Sequence, residues 1–190
     1  SAFKNNLMRK KIIVSAGVLC VLTACLSLWG QNTPSSIQTG SVELVKYEKE
    51  ISSAHIAPAA MSGRPGIAVI FDGTSDMHYY ANRQTAPGGY NLKVEVKSED
   101  FSFDEPIFPK WSNFHDKQQR QNTEVYVGRF TVFVPIKEAK ANLDKGSVNV
   151  KISGVACTST ICLTPFEKML QGYVDWSQKD SWKQISFEIA

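Results

Sequence analysis

With 190 residues, 43% hydrophobic and 21% charged, the chain is long enough to bury one sizeable core, and its composition excludes collagen-like, coiled-coil and disordered classes. The formal charge of +3 overstates its basicity, because Lys4, Arg9, Lys10 and Lys11 all precede residue 30, a stretch without acids. Taking those four from 21 bases leaves 17 against 18 acids, about −1, so nucleic acid is not an expected partner.

The four basic residues belong to a targeting segment. Met8 reads as the natural start, Arg9-Lys10-Lys11 as a positive n-region, and residues 12–28 as an apolar h-region ending near small residues, which together make an export signal. Cleavage is expected near Gly30-Gln31. Leu22-Thr23-Ala24-Cys25 also matches a bacterial lipobox, which would make Cys25 a lipidated first residue and anchor the protein to a membrane through its N-terminus. Against that, Leu26-Ser27-Leu28-Trp29 prolongs the apolar run. An uncleaved anchor is a third reading, at the short end of transmembrane length. The expected organisation is a signal over 1–30, a linker over 31–41 rich in Ser, Thr, Pro and Gln, and one domain over 42–190.

Within the domain, Val42-Glu43-Leu44-Val45-Lys46-Tyr47 predicts a first strand, and residues 51–61 are ambiguous. Gly66-Ile67-Ala68-Val69-Ile70-Phe71 is a continuous apolar run between Gly63-Arg64-Pro65 and Asp72-Gly73, as in a strand buried on both faces. Met77-His78-Tyr79-Tyr80 follows. Ala86-Pro87-Gly88-Gly89 then breaks the chain before Leu92-Lys93-Val94-Glu95-Val96-Lys97, a one-faced strand. Residues 101–123, with Pro106, Pro109 and the aromatics Phe108, Trp111 and Phe114, predict one long loop of the kind that serves as a lid. Tyr126, Phe130, Val132, Val134 and Ile136 predict one long strand, and Ile185, Phe187 and Ile189 a closing strand. Short strands, frequent turn signals and no helix outside the signal indicate an all-β sandwich.

The organising feature is Val155-Ala156-Cys157-Thr158-Ser159-Thr160-Ile161-Cys162-Leu163-Thr164-Pro165. Val148, Val150 and Ile152 alternate with Asn149, Lys151 and Ser153, a half-buried strand, and Gly154 loosens the backbone before the first cysteine. Cys20 falls in the signal, and Cys25 falls in it or is lipid-modified, so the domain keeps only Cys157 and Cys162. In an exported chain, two thiols so close form a disulfide by default. A ring this small contributes about 2 kcal/mol in the chain-entropy model, which favours chemistry over stapling. A zinc site needs about four ligands, and His55, His78 and His115 show no spacing that joins the cysteines, so neither metal nor other cofactor is expected. Hydrolase and nucleotide motifs are missing from the sequence.

The runs Met77-His78-Tyr79-Tyr80, Gly89-Tyr90-Asn91-Leu92, Pro106-Ile107-Phe108-Pro109, Glu124-Val125-Tyr126, Val155-Ala156-Cys157 and Cys162-Leu163-Thr164-Pro165, in that order, resemble the N-terminal periplasmic domain of the thiol:disulfide interchange protein DsbD. The resemblance covers residues 42–190. It implies an immunoglobulin-like sandwich, and a dithiol that carries reducing equivalents from a membrane electron donor to exported thioredoxin-fold proteins. By position it makes Cys162 the residue that forms the mixed disulfide and Cys157 the resolving thiol. It also makes His78 and Tyr80 residues that line the pair, and Phe114 is the candidate aromatic cap. Two departures accompany it. The insert between the cysteines is short, and neither a transmembrane bundle nor a Cys-x-x-Cys thioredoxin domain follows, so the resemblance implies a fragment or a module whose donor acts in trans.

Two other classes compete. A cell-envelope binding sandwich would hold an inert structural disulfide, and a copper-handling lipoprotein would need soft ligands near the cysteines, for which Met61, Met77 and Met169 are too scattered.

Overall fold

In the computed structural model, the described residues are 41–116 and 120–189. The expectations for the export signal, Cys20, Cys25 and residues 31–40 lie outside them.

Strand β1 (Val42–Tyr47) pairs with β2 (Glu50–Met61), and β2 pairs with β3 (Arg64–Gly73). The ambiguous stretch is therefore a strand. Its alternation is written in small residues, with Ser52, Ala54 and Ile56 inward and Ser53, His55 and Ala57 less buried, a pattern that hydrophobicity alone signals weakly. Pro58 is tolerated in it because the β1 ladder ends at Ala54, leaving one edge open where no N–H is needed. Gly66 of β3 is required by packing: a Cβ there would lie 2.5 Å from the Phe133 ring and 2.5 Å from the Val134 carbonyl oxygen.

The chain continues through β4 (His78–Tyr80), a 3-10 turn at Pro87–Gly89 and β5 (Lys93–Lys97). The expected long loop over 101–123 is corrected. It contains β6 (Phe101–Phe103), β7 (Ser112–Asp116) and the start of β8 (Gln121–Val127), with β7 and β8 paired as a hairpin from Ser112↔Val125 onward. The two strands are too polar on their outward side to stand out in the sequence. Trp111, Phe108 and Phe114 do not form one cluster. Phe108 stacks on Tyr126 at 5.7 Å, Phe114 meets His78, and Trp111 is exposed.

The expected long strand over 126–136 is also two strands. It breaks after β8 at Gly128, whose φ of +66° is open to glycine at no steric cost, and resumes as β9 (Phe130–Ala139) in a different sheet. Next come β10 (Lys145–Gly154), β11 (Ala156–Cys157) and β12 (Phe166–Asp175), then a 3-10 turn at Trp176–Ser181. The expected closing strand at 185–189 is absent among the described residues. Ile185 and Phe187 do pack, against Ala59, Met61, Ala68 and Phe133. The backbone, however, changes partner midway: Ile185 N–H bonds Ala60 O, and Lys110 N–H bonds Glu188 O, so no ladder forms.

Three antiparallel sheets result, ordered β1-β2-β3-β9-β6, β12-β10-β5 and β11-β4-β8-β7. The first two face each other across one apolar cluster that takes Ile56, Val69 and Val134 from one and Val94, Val150 and Leu170 from the other. The protein is thus an all-β sandwich, as the immunoglobulin-like expectation requires. The third sheet adds Tyr79 and Tyr126 to that core and carries the cysteines.

Candidate functional site: a hairpin disulfide on the third sheet

Cys157 and Cys162 are joined by a disulfide across a tight hairpin, with Cα atoms 4.0 Å apart. The reason lies in the backbone. Leu163 N–H donates to Ala156 O at 2.9 Å and Thr158 N–H to Ile161 O at 2.8 Å, which makes the cysteines between them a non-hydrogen-bonded cross-strand pair, where antiparallel chains approach most closely. The turn over 158–161 is closed by its own polar residues. Thr158 Oγ1 accepts from the N–H groups of Thr160 at 3.3 Å and Ile161 at 3.2 Å, the hydroxyl-to-backbone bonding that favours threonine in turns.

Strand β4 runs between β11 and β8, and its register decides what surrounds the disulfide. Cys157 lies opposite His78, His78 opposite Val127, Tyr80 opposite Val125, and Val125 opposite Ser112; two residues along, Thr123 faces Phe114. Residues directly opposite share a face of the sheet, and neighbours in sequence take opposite faces. Cys157, His78, Tyr80, Val125 and Phe114 therefore occupy one face, while Ala156, Tyr79 and Tyr126 occupy the other and join the main core. Tyr80, Ala86, Val125, Val155 and Cys157 form a separate cluster, with Phe114 and Cys162 packed against it. The disulfide is segregated from the core by strand alternation alone.

All five residues singled out in the domain sequence thus meet. The His78 ring lies 4.5 Å from Phe114 and 5.6 Å from Tyr80, centroid to centroid. Tyr80 O–H donates to Cys162 Sγ at 3.9 Å, and His78 Nδ1–H donates to Asp76 O at 3.0 Å. The two cysteines differ in exposure: Cys157 is 1% exposed, whereas Cys162 is partly exposed and follows Ile161, a large apolar residue at the surface. On the opposite face, burial and then the Glu124 charge push the Tyr126 hydroxyl up to about 12. Burial raises Tyr79 further. Both phenols stay neutral and take no part in acid chemistry near neutral pH.

Sequence reasoning missed Asp76. Its carboxylate accepts Ser159 N–H at 3.0 and 3.1 Å and Ser159 O–H at 3.0 Å, across 83 positions of chain. The local signal was an acid in a bend just before a strand, which does not reveal a partner so distant. Among the described residues no group of three or more His, Cys, Asp or Glu is placed to hold a metal ion.

Fold and site together define an all-β domain with a surface hairpin disulfide bedded on aromatic side chains. Among solved structures, the chain is similar to the N-terminal periplasmic domain of ScsB from Proteus mirabilis, with 14% identity and a TM-score of 0.49 over 73% of this chain and 51% of that one. It is also similar to the reduced N-terminal domain of DsbD from Neisseria meningitidis, with 17% identity and a TM-score of 0.41 over 63% and 87%. A third similar structure is that of the complex between the DsbD and PilB N-terminal domains of the same organism, with 14% identity and a TM-score of 0.43 over 64% and 88%. The chain spans about half the length of the ScsB domain it matches. No protein-family model matches the chain, and no curated protein does.

Proposed function

We propose that this chain is an exported thiol:disulfide exchange module whose Cys157/Cys162 pair relays reducing equivalents from a membrane electron donor to thioredoxin-fold proteins of the cell envelope. The observation that carries this reading is the asymmetry of the pair. A structural bridge gains nothing from leaving one cysteine partly exposed, whereas exchange requires one sulfur within reach of an attacking thiolate. The cradle of His78, Tyr80 and Phe114 supports the reading, since it limits access to the bond without tying it into the main core.

The steps follow from access. A thiolate of the reduced donor attacks Cys162 Sγ, the S–S bond breaks, and Cys157 leaves as a thiolate that takes a proton. A second donor thiolate then attacks the donor sulfur of the mixed disulfide and releases Cys162, leaving a dithiol here and a disulfide in the donor. In the second half, Cys162 attacks the disulfide of an oxidised partner. Cys157 attacks Cys162 in turn, which re-forms the bond and frees the partner's dithiol. Two electrons pass in each half. The N-terminal segment fits delivery to the envelope, by a cleaved signal or by a lipid on Cys25.

Equilibration with glutathione buffers tests the reading. An exchange-active pair is expected above about −300 mV. A potential below that, with no reduction of a thioredoxin-fold disulfide by the reduced domain, would favour a binding sandwich with an inert bridge.

A further inference from the structure

The turn between the cysteines is held from outside by the side chain of Asp76, to which the exchange chemistry has so far assigned no part. Asp76 lies two positions before the first residue of β4. Its carboxylate takes both the N–H and the hydroxyl of Ser159 at the tip of the turn, and its backbone carbonyl takes Nδ1–H of His78, the residue opposite Cys157. A single residue thus ties the turn to the strand on which the disulfide is bedded. We infer that Asp76 is a positioning residue for the redox pair: it holds residues 158–161 in the closed turn, so that the two thiols of the reduced domain stay within bonding reach.

The argument is one of effective concentration. In the oxidised domain the covalent ring already restrains the turn. In the dithiol hydrogen bonds do: the backbone bonds Thr158 N–H to Ile161 O and Leu163 N–H to Ala156 O, those accepted by Thr158 Oγ1, and, from outside the turn, three that end on Asp76. Charge-assisted bonds of this kind are the stronger sort. Removing the carboxylate therefore frees the reduced turn more than the oxidised one. The dithiol gains conformational entropy, its sulfurs meet less often, and the disulfide becomes easier to reduce. The inference assigns a determinant of the pair's potential and rests on the exchange reading for its biological meaning, but not for its measurement.

The test is the equilibrium of the purified domain with glutathione, protein disulfide plus two glutathiones giving protein dithiol plus glutathione disulfide. It is run for the parent, Asp76→Ala, Asp76→Asn and Ser159→Ala. Asp76→Ala is expected to shift the equilibrium about 3- to 10-fold toward dithiol, tenfold being about 30 mV, while the urea midpoint of the reduced domain stays at the parent value. Asp76→Asn, which keeps one acceptor oxygen, and Ser159→Ala, which keeps the N–H, are expected to shift it about twofold in the same direction. These two decide the matter if Asp76→Ala does not fold. Unchanged equilibria overturn the inference, as does a shift matched by an equal loss of stability in the reduced domain, since Asp76 would then be supporting the fold rather than the pair. A parent potential below about −300 mV would sink the exchange reading alone, because the effect of Asp76 on the equilibrium is measured on any disulfide.

Discussion

Cys157 and Cys162 are covalently joined but meet different surroundings: Cys157 is sealed in a cluster with Tyr80, Val125 and Val155, while Cys162 stands at that cluster's edge. On the exchange reading, an incoming thiolate attacks Cys162, the more exposed of the two, first. Cys157→Ser is therefore expected to trap a thioredoxin-fold partner as a mixed disulfide through Cys162, and Cys162→Ser to trap at least several-fold less. Band intensities on a non-reducing gel measure this, and equal trapping would remove the division of roles.

Because strand alternation puts Ala156 in the main core and Cys157 outside it, reduction should leave the fold intact. The ring contributes about 2 kcal/mol, which for a domain of this size corresponds to a fall of roughly 4 to 8 °C in the thermal midpoint. Calorimetry of the oxidised and reduced forms checks this. A fall of tens of degrees would identify a structural bridge.

Phe114 rests on His78 at the margin of the disulfide cluster, carried by a two-stranded hairpin. Replacing it with Ala should speed reaction of the oxidised domain with glutathione by about 3- to 30-fold, equivalent to roughly 0.7 to 2 kcal/mol of cover. Reaction with a docked protein partner should change much less, since docking displaces the cover in either variant. Stopped-flow rates with both reductants decide it, and an unchanged glutathione rate would mean that Phe114 shields nothing.

Gly66 marks a point where β3 and β9 pack too closely for a side chain. Gly66→Ala forces a methyl against a ring and a backbone oxygen, and should cost about 1 to 3 kcal/mol. The expected signature is a lower urea midpoint at unchanged slope; a midpoint equal to the parent's would show that β3 and β9 can part without cost.

Asp100 gives the fold a pH dependence. Its carboxylate accepts the Ser147 N–H at 3.0 Å, and this bond, the largest influence, outweighs desolvation and, helped by the Lys140 charge, holds its pKa below the usual value. A depressed folded pKa contributes stability that is present above the unfolded value of about 3.9 and is lost as pH falls through the folded value. Asp100→Asn should thus be less stable than the parent at pH 7, and the gap should narrow by pH 3. Urea midpoints at the two pH values measure it, and a constant gap would rule the linkage out.

The sequence by itself determined the all-β class, because alternation over 93–97 and 145–154 and the apolar run in β3 are local consequences of which faces are buried. It also marked Cys157 and Cys162 through residue chemistry, and the loop aromatic Phe114 as a cap, while His78 and Tyr80 were marked only through the resemblance of their run to a known family. What it could not determine was where strands end and with whom they pair. The stretch over 126–136 alternates like one strand and is divided by a single glycine at positive φ, and the alternation of Ile185 and Phe187 is real although no continuous ladder receives it. Only the tertiary structure decided that β7 and β8 form a hairpin beside β4, which carries Phe114 to His78, and that Asp76 reaches Ser159. Both depend on pairings between residues far apart in sequence, whose energies are set by register and approach and leave no periodic trace in the chain itself.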